Sequence, residues 1–172
     1  SVNSLIQKYY PEMLRYLAHV LSPMQAHCKR IREKDPGAYT VFIGPCIAKK
    51  GEADESKYTD VALTFNELQQ WMTDEGIEPV RKEREAKEGV RARFYPTTGG
   101  ILKSMQEETG YRYMAVDGTE NCMAMLEELQ TGEFGKVFIE MSACEGSCVN
   151  GPCIREHKEL SLIHILTLPT KR

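Results

Sequence analysis

The chain has 172 residues, 41% hydrophobic and 27% charged, with 22 Lys and Arg against 25 Asp and Glu for a net charge of -3. A mildly acidic balance argues against nucleic acid as a partner, and the length suffices for one sizeable core, so one domain or one lobe of a larger one is expected. No run approaches the roughly 20 apolar residues of a membrane helix, and residues 1–20 lack the pattern of a signal peptide, so no membrane partner and a cytoplasmic, reducing setting are expected.

In chain order, Leu5, Tyr9, Met13 and Leu17 recur at four-residue intervals, a helical stripe that Pro11 breaks into a short helix, a kink and a second helix. Ser22-Pro23 predicts an N-cap and first helical residue for a helix over Met24 to Lys34. Thr40-Val41-Phe42-Ile43-Gly44 reads as a strand covered on both faces in a parallel sheet. Asp60 to Thr64 reads as another strand, with Thr64 capping a helix from Phe65 to Asp74 that carries Trp71 and ends at Gly76. Arg81 to Glu88 is an exposed polar excursion. Arg91 to Tyr95 predicts a strand, Thr97-Thr98-Gly99-Gly100 a tight turn into a helix over Ile101 to Thr109, and Tyr113 to Val116 a further strand. Asn121 to Leu129 is helical and stops at Gly132, and Lys136 to Ser142 is a last apolar strand. The alternation predicts an α/β fold, a mostly parallel sheet flanked by helices. The apolar run Leu160 to Leu168 has no turn logic feeding it and is similar to translated adaptor read-through, so residues 157–172 are expected to be a non-native or disordered tail.

Six cysteines are too few for a disulfide scaffold, and clustered thiols in a reducing setting are more often metal ligands or catalysts. Ligands of open α/β sheets bind beyond the carboxyl ends of the strands. Cys46 follows one predicted strand and Cys144 another; if both strands lie in one sheet, both thiols reach one site. Cys148 lies four residues after Cys144 and Cys153 five further on, with Gly146 and Gly151 allowing the backbone to wrap closely. Packed thiolates repel unless a metal or cluster neutralises them, which leaves an iron-sulfur centre, unliganded or redox thiols, or zinc as readings, in that order. Lys49 can direct a cation to the same site, and Glu52 can pair with Lys49 or Lys50. Cys28 and Cys122 read as small buried hydrophobes. The four histidines lack companions at ligand spacing or fall in the tail, and Thr97 to Gly100 is weak evidence for an anion cradle.

Gly44-Pro45-Cys46-Ile47-Ala48-Lys49-Lys50-Gly51-Glu52 resembles a signature of the [FeFe]-hydrogenase large subunit, Met-Pro-Cys-x-x-Lys-x-x-Glu, and Glu140-Met141-Ser142-Ala143-Cys144-Glu145-Gly146-Ser147-Cys148 resembles another, Glu-x-Met-Ala-Cys-x-x-Gly-Cys. Tyr10-Pro11-Glu12, Ser22-Pro23, Asp60 to Thr64 and Thr98-Gly99-Gly100 follow in the family's order. The resemblance implies an iron-only hydrogenase-like lobe, with residues 1–156 the C-terminal half of the catalytic domain. It also implies that Cys46, Cys144 and Cys148 hold the 4Fe-4S cubane of the H-cluster, that Cys148 bridges to the di-iron subcluster, and that Lys49 hydrogen-bonds a cyanide there. Hydrogen and protons, and a ferredoxin-like electron donor or further iron-sulfur domains, are the implied partners. The family's first cysteine signature has no match, so an inactive fragment is expected. Gly44 and Ser142 stand where two methionines pack in the family, Ala18 where a proton-path serine does, and Asn150-Gly151-Pro152-Cys153 replaces a glycine-rich end. These departures are similar to those of the branch assigned a sensory role, which implies a wider pocket and a signalling module as partner. Two alternatives stay open: a non-catalytic relative akin to nuclear prelamin A recognition and cytosolic iron-sulfur assembly proteins, and a zinc-binding α/β domain.

Overall fold

Proline has no backbone N–H, so the N-terminal helical stripe cannot run through Pro11, and in the computed structural model, which describes residues 2–80, 91–105 and 110–154, the helix breaks there. In chain order the elements are α1 (Val2–Tyr9), a 3₁₀ turn (Pro11–Tyr16), α2 (Pro23–Lys34), β1 (Val41–Ile43), α3 (Ala48–Asp54), β2 (Val61–Leu63) and α4 (Phe65–Asp74). A second 3₁₀ turn (Arg91–Phe94), α5 (Gly100–Ser104), β3 (Arg112–Asp117), α6 (Thr119–Thr131), β4 (Val137–Ser142) and a third 3₁₀ turn (Cys148–Asn150) follow. The predicted Arg81–Glu88 excursion and the 157–172 tail lie outside the described residues. Among the described residues no helix is long and apolar enough to cross a membrane.

The chain divides into two units: of the described residues, 2–17, 91–105 and 110–151 form the first, and 18–80 with 152–154 the second. In the first unit β3 and β4 pair in parallel, from Arg112 opposite Val137 to Asp117 opposite Ser142. Parallel strands need a crossover, and α6 supplies it. The core joins Val2, Ile6, Tyr10 and Met13 to Cys122 and Leu126 of α6, with Val116 and Met141 of the sheet packed against them. Tyr10 Oη donates to Glu127 at 3.2 Å, and burial, followed by that carboxylate, pushes the phenol up.

The buried N-terminal positions differ from the predicted stripe. Met13 is buried, Leu5 and Leu17 are partly covered, and Tyr9 is 59% exposed. The switch to a 3₁₀ turn, with three residues per turn, brings Tyr10 rather than Tyr9 in line with Met13. The predicted Arg91–Tyr95 strand is likewise a 3₁₀ turn. Its Phe94 carbonyl accepts from the Thr97 amide at 2.9 Å and the Thr97 hydroxyl at 2.6 Å, local bonds that compete with a strand ladder. Gly100 closes this turn: a Cβ there would lie 1.7 Å from the Phe94 oxygen.

In the second unit β1 pairs in parallel with β2, Val41 opposite Val61 through Ile43 opposite Leu63. Val41 and Ile43 are 42% and 40% exposed, so β1 is covered on one face, not two. Asp60 ties the two strand starts together: it accepts from the Thr40 amide at 2.6 Å and Thr40 Oγ1 at 2.8 Å, and pairs with Arg32 of α2. The cap predicted at Ser22 is present, its Oγ accepting from the Gln25 amide at 3.3 Å. At Thr64 the cap is a full capping box, with Thr64 Oγ1 accepting from the Glu67 amide at 3.2 Å and Glu67 Oε2 accepting from the Thr64 amide at 2.8 Å. Helix α3 has no apolar stripe, which is why periodicity missed it; of its residues only Ala53 is buried.

Two pairs of partners set the acid response of this unit. The Arg32 guanidinium, then Thr40, holds Asp60 at about 2, and the Lys50 ammonium, then Thr64, holds Glu67 at about 2. Both folded values lie below the unfolded ones, so the stabilisation is present above about pH 4 and is lost as pH falls towards 2. Acid titration followed by circular dichroism is expected to show that loss in this window, with a shallower acid limb in Asp60→Asn. Thr64→Ala is expected to cost about 1 kcal/mol in denaturant unfolding.

Candidate functional site

The candidate residues fall into two loops, each leaving the carboxyl end of a parallel strand, one in each unit. Among the described residues strand β1 pairs with β2, and β4 with β3, in separate two-stranded sheets, so the condition under which the sequence brought both thiols to one site, a shared hydrogen-bonded sheet, is not met there.

In the second unit the Gly44 amide donates to the Leu63 carbonyl at 3.0 Å and extends the ladder to the loop. Cys46 follows, half-buried, and its carbonyl accepts from the Lys49 amide at 3.2 Å as the chain turns into α3. One turn on, Lys49 Nζ pairs with Glu52. Glu52 also accepts from Ser22 Oγ and, at 3.2 Å, from Gln25 Nε2, so the first turn of α2 and α3 share one carboxylate. Burial raises the Glu52 carboxyl, but the bonds from Lys49, Ser22 and Gln25 outweigh it and the net displacement is downward. Glu52 therefore stays ionised and holds the Lys49 ammonium. Lys50 pairs instead with Glu67 at 2.7 Å. A Cβ on Gly44 would lie 2.7 Å from the Phe42 ring, so that ring occupies the room expected to be open. Cys153 also lies here, half-buried, its amide donating to the Pro45 carbonyl at 3.4 Å.

In the first unit Cys144 is half-buried and Cys148 exposed. The loop between them closes through the Ser147 amide and the Cys144 carbonyl at 2.9 Å, and the Val149 amide reaches the Pro96 carbonyl at 3.0 Å. Ser147 takes the glycine position of the signature and has φ 66° and ψ -158°, a conformation that costs a residue with a Cβ about 1–3 kcal/mol. It is 1% exposed, and its Oγ lies 2.8 Å from Ser142 Oγ. Two of the positions that depart from the signature thus touch each other. Cys122 is fully buried beneath β4, its Sγ donating to the Ser142 carbonyl at 3.5 Å; burial above all pushes its thiol up, as suits a packing role. Cys28 is buried on α2.

Two acids have roles that the sequence reading did not assign. Glu140, 4% exposed, accepts from the Ile101 and Leu102 amides, each at 3.1 Å. Its sequence signal was a charge inside the apolar strand Val-Phe-Ile-Glu-Met. Asp117, at the end of β3, accepts from Thr98 Oγ1 and from the Gly146 amide at 3.1 Å; nothing local marked it.

Among the described residues no group of three or more His, Cys, Asp or Glu side chains gathers to hold a metal ion. The donor chemistry nonetheless fits a soft metal group: three partly or fully accessible sulfurs on loops at strand ends suit iron-sulfur ligation.

The family model described as iron only hydrogenase large subunit, C-terminal domain, matches residues 1–111 and 100–152. Iron hydrogenase 1 of Clostridium pasteurianum is 24% identical over 199 residues, covering 84% of this chain and 35% of that protein. The periplasmic [Fe] hydrogenase large subunit of Nitratidesulfovibrio vulgaris is 22% identical, covering 84% and 47%. A variant of [FeFe]-hydrogenase HydA1 from Chlamydomonas reinhardtii shares the fold, with a TM-score of 0.61 at 20% identity over 86% of this chain and 58% of that one. The chain thus spans less than half the length of these curated relatives.

Because Ser142 and Ser147 fill one another's space, Ser142→Met alone is expected to overpack and cost about 1–3 kcal/mol. Adding Ser147→Gly should recover most of that loss, and a double-mutant cycle in urea measures the coupling.

Proposed function

This chain belongs to the family formed by the C-terminal domain of iron-only hydrogenase large subunits, and from that membership we propose that it carries ligands of an H-cluster in a protein that interconverts protons and hydrogen or senses hydrogen. The observation that carries this reading is the pair of thiol-bearing loops, Cys46 with Lys49 and Cys144 with Cys148, each at the carboxyl end of a parallel strand. Cys46, Cys144 and Cys148 would hold the 4Fe-4S cubane as thiolates, and Cys148 would also bridge to the di-iron subcluster. When bound, that group supplies the redox chemistry at which protons and electrons meet.

The chain's own contribution is charge and orientation. Thiolates and cyanide-bearing iron are anionic, and a buried anion needs a cation or hydrogen-bond donors. Lys49 offers both, and Glu52, itself held by Ser22 and Gln25, holds the ammonium in place. A ferredoxin-like donor or further iron-sulfur domains would deliver electrons. The sensory reading rests on the departures at Gly44, Ser142, Ala18 and Asn150-Gly151-Pro152-Cys153; at the first two, Phe42 and the Ser142–Ser147 pair take up space that methionines would fill, which replaces soft thioether packing with an aromatic ring and two hydroxyls. A signalling module would then be the downstream partner.

Anaerobic reconstitution with iron and sulfide, followed by iron quantification and electron paramagnetic resonance, tests this. Cys46→Ser, Cys144→Ser and Cys148→Ser are each expected to lower bound iron at least about tenfold, in keeping with the loss of a ligand, while Cys28→Ala retains it. Equal iron in all variants, or uptake of zinc with no iron-sulfur signal, sinks the proposal.

A further inference from the structure

Asp117 is opposite Ser142 at the last pair of the β3–β4 ladder, so its carboxylate projects from the end at which the Cys144–Cys148 loop begins. One oxygen, Oδ2, accepts from two directions: Thr98 Oγ1 in the turn before α5, and the Gly146 amide midway between the two cysteines. The surroundings brace it. Asn121 Nδ2 donates to the Asp117 carbonyl at 2.8 Å, and Gly118, at φ 83°, brings the following corner so close to the loop that a Cβ there would lie 3.2 Å from Glu145 Cγ. On the far side of Cys148 the Val149 amide reaches Pro96. The cysteine loop is therefore anchored on both sides to the 96–98 turn, once through backbone and once through Asp117. Gly146 is exposed and at φ 73°, a conformation with no regular-structure partner for its amide, so the carboxylate is what engages that N–H.

We propose that Asp117 is a positioning residue for the Cys144–Cys148 pair, holding the loop in its ligating shape and occupying the Gly146 amide so that it does not donate to a bound sulfur. This rests on the iron-sulfur reading above and deepens it. Two effects on a cluster follow with the same sign. A carboxylate beside the loop adds negative charge, and an amide engaged by oxygen is one fewer donor to sulfur; both lower the reduction potential of an iron-sulfur group. Asp117 thus biases the site towards its oxidised form while fixing its geometry.

Two variants separate charge from geometry. Asp117→Asn keeps an oxygen that accepts from Gly146 but removes the charge; Asp117→Ala removes both. Amide hydrogen exchange of the chain without iron is the first readout. Exchange at Gly146 is expected to rise about tenfold or more in Asp117→Ala and less than about threefold in Asp117→Asn, as loss of a bond to a charged acceptor implies. Met114 and Phe138, whose amides point across the β3–β4 ladder, stay protected in both and report that the unit is folded. The second readout is the midpoint potential of the iron-sulfur signal after anaerobic reconstitution, expected to rise from wild type to Asp117→Asn. That rise, with loop exchange nearly unchanged, is something a purely structural residue would not produce. Unchanged Gly146 exchange in Asp117→Ala overturns the positioning role, and equal potentials in wild type and Asp117→Asn overturn the electrostatic one. Should wild type assemble no cluster at all, the iron-sulfur reading fails, while the exchange experiment still decides whether Asp117 positions the loop.

Discussion

Glu140 places a carboxylate inside an otherwise apolar strand and uses it to accept two backbone amides at the start of α5. The same device recurs at three ends of strands among the described residues. Asp60 takes the amide of Thr40, Glu67 that of Thr64, and Asp117 that of Gly146. Turns at strand ends have amides that the ladder does not satisfy, and leaving one buried without an acceptor costs about 1–3 kcal/mol. Short strands of three to six residues make such ends frequent, and acidic side chains are the acceptors that meet them. The loop that carries Cys144 and Cys148 is held in this way through Asp117.

The electrostatic consequence differs between the two loops. Around Cys46 the acid is balanced: Glu52 is saturated by Lys49, Ser22 and Gln25, and Lys50 is drawn away to Glu67. In the Cys144–Cys148 loop Asp117 is engaged by a hydroxyl and by the Gly146 amide, both uncharged. Charge and hydrogen bonds near sulfur are the means by which a protein tunes an iron-sulfur group, and each loop carries its own version of them.

The serine pair shows how departures from a family pattern can form one unit. Ser142 removes a methionine, and Ser147 adds a Cβ and hydroxyl where the pattern has glycine; their oxygens are 2.8 Å apart. The unusual backbone of Ser147 is tolerated because the side chain is buried and bonded. Read one position at a time, each change looks like a local loss, whereas together they replace one packing solution with another.

Much of this was legible in the chain itself. Caps at Ser22 and Thr64, the stop at Gly132, the parallel α/β alternation and the two cysteine segments all follow from local rules: proline without an N–H, hydroxyls that cap helices, glycine at helix ends, soft sulfur in clusters. Family membership followed from the two cysteine segments, because a signature is a local string. Other features depended on contacts between residues far apart. Tyr10 replaces Tyr9 in the core because helix type changes at Pro11 and α6 supplies the surface to meet. Arg91–Phe94 is a turn because Thr97 and Gly100 close on the Phe94 carbonyl. β1 leaves one face partly exposed because burial depends on what packs against a strand, which its own residues do not specify. Asp117 was invisible for the same reason: its partners are 19 and 29 positions away, and only the register of β3 on β4 brings them together.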